Sequence, residues 1–227
     1  MKNKKWIIIL IAVLIAVAAY FIFASTQNSK FKPLDAQKLR HETQNQPLQG
    51  KSNGRVLIVE FGDFKCPYCG QFEREIKPKL EREFLDNDQI ELRYVNVLLH
   101  GQESERGARA AHAVNMIAPK QYWTFHQQLF KAQPKKMDDV GQKEWLTEDL
   151  VDRLIRQLDI TQAQKSEIIA AYKNDHGEAA KRAKADHKLA KSNDVPQVPA
   201  LYVDGKPVED VTNYQNVKDA INQALKK

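Results

Sequence analysis

Cysteine is nearly absent from this chain. Cys66 and Cys69, three positions apart, are the only two among 227 residues. That excludes a framework of structural disulfides. The one intramolecular bridge available closes too short a loop to stabilise a fold through chain entropy. No second C-x-x-C and no H-x₃₋₅-H accompanies the pair, and His41, His100, His112, His126, His176 and His187 are scattered. A zinc site needs two more ligands than the pair supplies, so the zinc reading is weak. No basic stripe interleaved with aromatics is present, which removes the usual footprint of nucleic-acid binding. No fixed-period repeat is evident.

What remains is a cysteine pair in a telling place. Lys65-Cys66-Pro67-Tyr68-Cys69-Gly70 stands where RVLIVEFGDF gives way to GQFEREIKPKLEREFL. The first run predicts a buried strand and the second a helix. A C-x-x-C pair at such a junction reads as a thioredoxin-like redox motif. Backbone N–H groups at a helix N-terminus favour a thiolate over a thiol, and the thiolate is the species that attacks disulfides. Cys66 is the expected nucleophile and the exposed member of the pair. Cys69, in the first turn, is its partner thiol.

The N-terminus is set apart by composition. Lys2, Lys4 and Lys5 precede an unbroken apolar run from Trp6 to Ala24. At ~1.5 Å per residue the run spans about 28 Å, close to the ~30 Å of a hydrocarbon core. It reads as a basic cytoplasmic stub and an uncleaved transmembrane signal anchor over residues 1–24, with a cleaved signal peptide as the alternative. Both place the rest of the chain outside the cytoplasm, where disulfides persist. Residues 25–46 are polar and read as a tether. Without the three lysines of the stub, 32 basic residues face 29 acidic ones, a net charge of only +3.

Residues 47–227 are long enough for one domain with a sizeable core. Ile90–Leu99 predicts a second strand, parallel to the first. Pro78 predicts a kink in the helix between them. From about 103 to 191 the chain reads as helical, with Thr147 and Thr161 as N-caps. Trp123, Phe125, His126 and Phe130 fall at helical spacing and read as core. Val198–Val203 predicts a strand, Asp204-Gly205 a two-residue hairpin turn, and Lys206-Pro207 an edge partner. An amphipathic helix closes the chain. The order β-α-β, helical segment, β-β-α is an α/β, thioredoxin-like fold with an all-helical insertion between the second strand and the proline strand.

Three further positions carry chemistry in this reading. Lys65 places positive charge beside the nucleophile. In thioredoxin-like folds a cis proline opens the strand opposite the redox pair; Pro199 fits that place and would turn the backbone of Val198 toward a bound peptide, an ordinary trans proline being the alternative. Glu60 lies six residues before Cys66 in an otherwise apolar strand. A buried carboxylate there would have a raised pKa and could relay the Cys69 proton; a merely paired residue is the alternative. Acidic residues of the helical segment allow a structural divalent cation, but no D-x-D-x-D-G loop is present to hold one.

These residues resemble a known family. VEFGDFKCPYCGQF is similar to the active-site segment of the DsbA-like thiol-disulfide oxidoreductases, VPALYVDGKPV to their cis-proline strand and hairpin, and QYWTFHQQLF to part of their helical insertion. VEFGDFKCP, VNVLLHG and the N-terminal anchor most resemble the membrane-anchored BdbD-type members of Gram-positive bacteria. The resemblance covers roughly residues 47 to 225. It implies an oxidase that introduces disulfides into reduced exported proteins, with the Cys66–Cys69 disulfide in place of a cofactor. It also implies recycling by a quinone-linked membrane oxidoreductase of the DsbB/BdbC type. The family's buried acidic residue falls at Glu60. One departure stands out: Pro67-Tyr68 separates the cysteines where the best-known members have Pro-His, and Tyr68 carries no positive charge. The rival readings are a reductase or isomerase on the same fold, and a non-catalytic membrane-tethered binding module or chaperone.

Overall fold

The computed structural model describes residues 31–85 and 90–227. The predicted anchor therefore lies outside the described residues. Among those described, no helix is long and apolar enough to cross a membrane. The compact unit runs from Pro33 to Lys227.

In chain order its elements are α1 (Ala36–Glu42), β1 (Leu48–Gly50), β2 (Val56–Gly62), α2 (Pro67–Glu75), α3 (Lys77–Phe84) and β3 (Ile90–Asn96). The helical insertion follows: α4 (Gly101–Ile117), a 3₁₀ turn (Pro119–Gln121), α5 (Tyr122–Lys131), α6 (Met137–Gln142), α7 (Glu148–Arg156), α8 (Gln162–Lys173) and α9 (Glu178–Ser192). The chain then returns to β4 (Ala200–Val203), β5 (Lys206–Pro207) and α10 (Tyr214–Leu225). The sheet order is β1-β3-β2-β4-β5, with β2 and β3 parallel and the other neighbours antiparallel.

The apolar run Val56-Leu57-Ile58-Val59 explains the centre of the sheet. A strand without a polar face must be covered on both sides, and every residue of β2 is buried. One face packs Val56 and Ile58 with Ile90, Leu92, Leu201 and Val203 against Phe72, Ile76, Leu80 and Phe84 and against Val217 and Ile221 of α10. On the other face α9 packs against β3 and α4. Proline shapes the helix after the motif. Pro78 has no N–H to give the turn before it, and the helix breaks at Ile76 into α2 and α3. Thr147 and Thr161 cap α7 and α8, the latter through a reciprocal bond with Gln164. Asp204 and Gly205 take positive φ of 45° and 76°, as the tight β4–β5 turn requires.

From residue 31 on, the tether reading of residues 25–46 is corrected by α1; residues 25–30 lie outside the described residues. Asp35 caps this helix through Lys38 N at 2.7 Å, and Leu39 is 1% exposed. Arg40 pairs with the buried Glu91 at 2.6 Å, and Arg93 donates to the Arg40 carbonyl at 2.6 Å. Gln46 reaches Asp186 of α9 at 2.6 Å. A single large apolar residue in this helix gives no periodicity to read, yet the segment docks through it, the Arg40–Glu91–Arg93 cluster and Gln46.

Candidate active site

β2 and β4 build the site together. Their antiparallel register sets Phe61 against Ala200. The end of β2, which leads to the cysteines, therefore lies beside the start of β4, which follows Pro199. The Val198–Pro199 peptide bond is cis. Val198 points its carbonyl at the pair, and Cys66 Sγ–H donates to it at 3.7 Å.

Cys66 is the N-cap of α2 in extended conformation, with Pro67 as the first helical residue. Pro67 has no N–H, which costs nothing where the helix has none to bond. Gly70 N donates to Cys66 O at 3.2 Å, closing the first turn. Cys66 is held at a pKa of about 7. The main cause is the Cys69 S–H, which donates to its sulfur. Burial opposes this, the N–H groups of Cys69 and Tyr68 add to it, and the charge of Asp63 works against it. Cys69 is pushed well up by burial, then by the hydrogen bond it gives Cys66. One thiol is thus poised to ionise near neutrality and its partner to keep its proton. Cys66 is more enclosed than the sequence reading expects, although it remains the more exposed of the two. Cys66 is 5% exposed and Cys69 fully buried, while Tyr68 beside them is 57% exposed.

Lys65 departs from its expected role. Its ammonium is buried and bound by Glu103 at 2.5 Å and by the Lys143 carbonyl at 2.5 Å. Its charge is matched by a carboxylate, and it ties the active-site loop to α4 and to the end of α6.

Glu60 is 1% exposed. Burial raises its pKa to about 8, against the pull of Lys77. Neither of its oxygens has a hydrogen-bond partner among the described residues. Tyr94, paired with Glu60 across β2 and β3, is within electrostatic reach of both Cys69 and Glu60. A Cβ on Gly62 would lie 2.5 Å from the Tyr94 hydroxyl, so the phenol needs a glycine beneath it. Beside Glu60 stands a buried ion pair, Glu73 with Lys77 at 3.1 Å, and the Lys77 ammonium lies 4.1 Å from the Trp123 ring centroid. Burial and Lys77 push the neighbouring His126 down to about 4, so it is neutral. The aromatic stripe of α5 is core, and it packs directly under the active-site loop: His126 lies 5.3 Å from the Phe64 ring and 4.6 Å from that of Tyr94.

Two residues that sequence reasoning passes over organise the loop. Asp63 accepts Cys66 N through its carbonyl at 3.0 Å and donates its own N–H to Cys69 Sγ at 3.5 Å. Its carboxylate accepts Lys65 N, Leu99 N, Ser104 Oγ and His100 Nδ1, all within 3.0 Å. Gln133, just after α5, donates to the carbonyls of Phe64 at 2.9 Å and Cys66 at 3.0 Å. Its own carbonyl faces Arg74. The position of Asp63, directly before the motif in a loop of restricted length, was a usable signal. Gln133 offered none. Among the described residues no group of three or more His, Cys, Asp or Glu side chains is arranged to hold a metal ion.

Comparison with known proteins adds to this geometry. The thioredoxin family model matches residues 42–223. Disulfide bond formation protein D of Bacillus subtilis is 31% identical over 192 residues, 85% of this chain and 82% of that protein. Probable disulfide bond formation protein D of Bacillus cereus is 30% identical over 232 residues, covering 100% of both. The crystal structure of oxidised BdbD from Bacillus subtilis matches with a TM-score of 0.74 at 28% identity, over 87% of this chain and 97% of that one.

Proposed function

Since the chain belongs to the thioredoxin family, and within it to the relatives of disulfide bond formation protein D, we propose that it is a thiol-disulfide oxidase that introduces disulfide bonds into exported proteins. The observation that carries this is the likeness to disulfide bond formation protein D over most of both chains; the state of Cys66 supplies the chemistry. Its sulfur sits at a helix N-terminus, receives the Cys69 S–H, and is pulled down to about 7. A stabilised thiolate favours the reduced enzyme, and the further it is stabilised the more strongly electrons are drawn from substrate to enzyme.

The reaction follows from the geometry. A substrate thiolate attacks Cys66 Sγ of the Cys66–Cys69 disulfide, and Cys69 leaves as a thiolate. Cys69 is buried and strongly prefers its proton, so protonation accompanies this step, with Tyr94 in electrostatic reach of Cys69 and Glu60 next to Tyr94. A second substrate thiolate attacks the substrate sulfur of the mixed disulfide and Cys66 leaves. The substrate gains one disulfide and the enzyme is left as a dithiol. The Val198 carbonyl beside Cys66 is placed to pair with the backbone of the substrate peptide, and Tyr68 offers an exposed ring to it. Residues 1–24 hold the domain at the outer face of the cell membrane with the N-terminus cytoplasmic. A quinone-linked membrane oxidoreductase of the DsbB/BdbC type reoxidises the pair.

The test is oxidative refolding of a reduced exported protein by the full chain and by Cys66→Ser. The wild type should accelerate disulfide formation and the variant should not; equal rates would refute catalysis. A reduction potential near about −120 mV supports the oxidase, and one near about −270 mV would instead make it a reductase.

A further inference from the structure

The dipeptide between the cysteines carries no cation, and Lys65 is matched by Glu103. Asp63 nonetheless places a buried carboxylate in contact with the cysteine loop, and this anion opposes the Cys66 thiolate. The group that meets it is His100, in the loop between β3 and α4. His100 Nδ1 lies 2.8 Å from Asp63 Oδ2, and the ring is half-buried at the rim of the site. Its backbone N–H is held by Ser104 Oγ at 2.9 Å. The Leu98 N–H is held by His187 of α9 at 3.1 Å, so the loop has little freedom to carry the imidazole away. We propose that His100 is a positioning residue for the redox reaction: protonated and paired with Asp63, it supplies the positive charge that lets Cys66 ionise. This rests on the oxidase reading and deepens it.

The charges facing His100 favour this role. From the active-site loop come Asp63, the Cys66 thiolate and Lys65, the last engaged by Glu103 of α4; from α9, His187 holds the His100 loop at Leu98. The hydrogen bond that His100 gives to Asp63 raises its pKa above its ordinary value, and the charge of Cys66 raises it further while burial and Lys65 oppose. Coupling between two sites is reciprocal. If a Cys66 thiolate strengthens the hold of His100 on its proton, a protonated His100 strengthens the thiolate. Oxidation of Cys66 and Cys69 to a disulfide removes the thiolate charge, and His100 must then titrate at lower pH. The sign for the enzyme follows: as pH rises through the His100 midpoint the cation is lost, Asp63 is left uncompensated, and the protein becomes a weaker oxidant.

The decisive experiment uses the wild-type full chain. The His100 ring is titrated by NMR in the reduced and the oxidised states, its signal assigned by its loss in His100→Gln. A higher midpoint in the reduced state is expected; equal midpoints would overturn the assignment. The variants supply a second measurement. Glutamine keeps a donor for Asp63 and removes the charge, so the Cys66 thiolate fraction near neutral pH, and the equilibrium constant with glutathione, should fall about three- to tenfold. His100→Lys should recover most of that loss. A glutamine variant with the wild-type thiolate fraction would show that His100 only shapes the loop, and would overturn the proposal. Either negative result with a wild-type chain that still oxidises thiols removes the role of His100 alone. A wild-type chain that does not oxidise thiols removes the oxidase reading, and this inference with it.

Discussion

Gln133 Nε2 donates to the carbonyl of Cys66 at 3.0 Å, so a side chain from the helical insertion holds the residue that caps the active-site helix. The amide is oriented by Arg74, which takes its oxygen. Gly70 makes room for it: a Cβ there would lie 1.8 Å from Gln133 Oε1. The insertion therefore takes part in the site through a contact that depends on the absence of one methyl group.

Replacing Gly70 by Ala should push Gln133 off both carbonyls. We expect a loss of stability of about 1–2 kcal/mol and a slower oxidation of substrate thiols. Gln133→Ala should reproduce both effects. The double variant should be little worse than either single one, because both remove the same contact. Chemical denaturation and refolding rates would show this, and fully additive losses would count against it.

Cys69→Ala removes the largest cause of the low Cys66 pKa, the S–H donated to its sulfur. The Cys66 midpoint should rise from about 7 toward the ordinary thiol range of about 8.5. The helix N–H groups should keep it from reaching that range. Thiolate absorbance against pH measures the shift, and an unmoved midpoint would remove Cys69 as the donor.

Glu60 gives a pH dependence to stability. Its folded pKa of about 8 lies above the usual carboxylate value. The folded state thus binds more protons than the unfolded state between roughly pH 4.5 and 8, and stability falls as pH rises through that window. Glu60→Gln should abolish this fall. The variant should match the wild type near pH 4.5 and exceed it by roughly 2–4 kcal/mol at pH 8. If Glu60 also serves the Cys69 proton, the same variant will slow formation of the mixed disulfide, the step in which Cys69 leaves. Denaturant midpoints across pH test the first effect, and equal slopes for the two proteins would refute it.

Leu39→Ala tests whether α1 belongs to the fold. Leu39 is 1% exposed, and truncation of such a leucine costs about 2–5 kcal/mol. The Cys66 titration should be unchanged, since α1 packs on Glu91 and Arg93, away from the cysteines. A variant as stable as the wild type would return residues 36–42 to the status of a tether.

What could be read in advance was local. The strand-to-helix junction at Cys66, the break at Pro78, the caps Thr147 and Thr161 and the Asp204-Gly205 turn each follow from neighbours within a few positions. The cis geometry at Val198–Pro199 was legible only through its pairing with the cysteines. Other features depend on partners distant in sequence. Asp63 meets His100 across 37 positions, and Gln133 meets Cys66 across 67; neither pairing leaves a periodic or motif-like trace. Lys65 was misplaced for the same reason, because its partner Glu103 lies in the insertion. Helix α1 escaped because one buried leucine among polar residues is no pattern.

The edges of the sheet bear on life among unfolded chains. On one side β1 spans only Leu48–Gly50, and on the other β5 spans Lys206–Pro207, with a lysine and a proline. An edge so short offers an incoming strand few free backbone groups, and proline offers no donor at all. If its clients are reduced exported chains, as proposed, such edges deny them a template for β-aggregation. On the proposed function, client backbone would still meet it beside Val198, next to Cys66, where contact ends in chemistry and release.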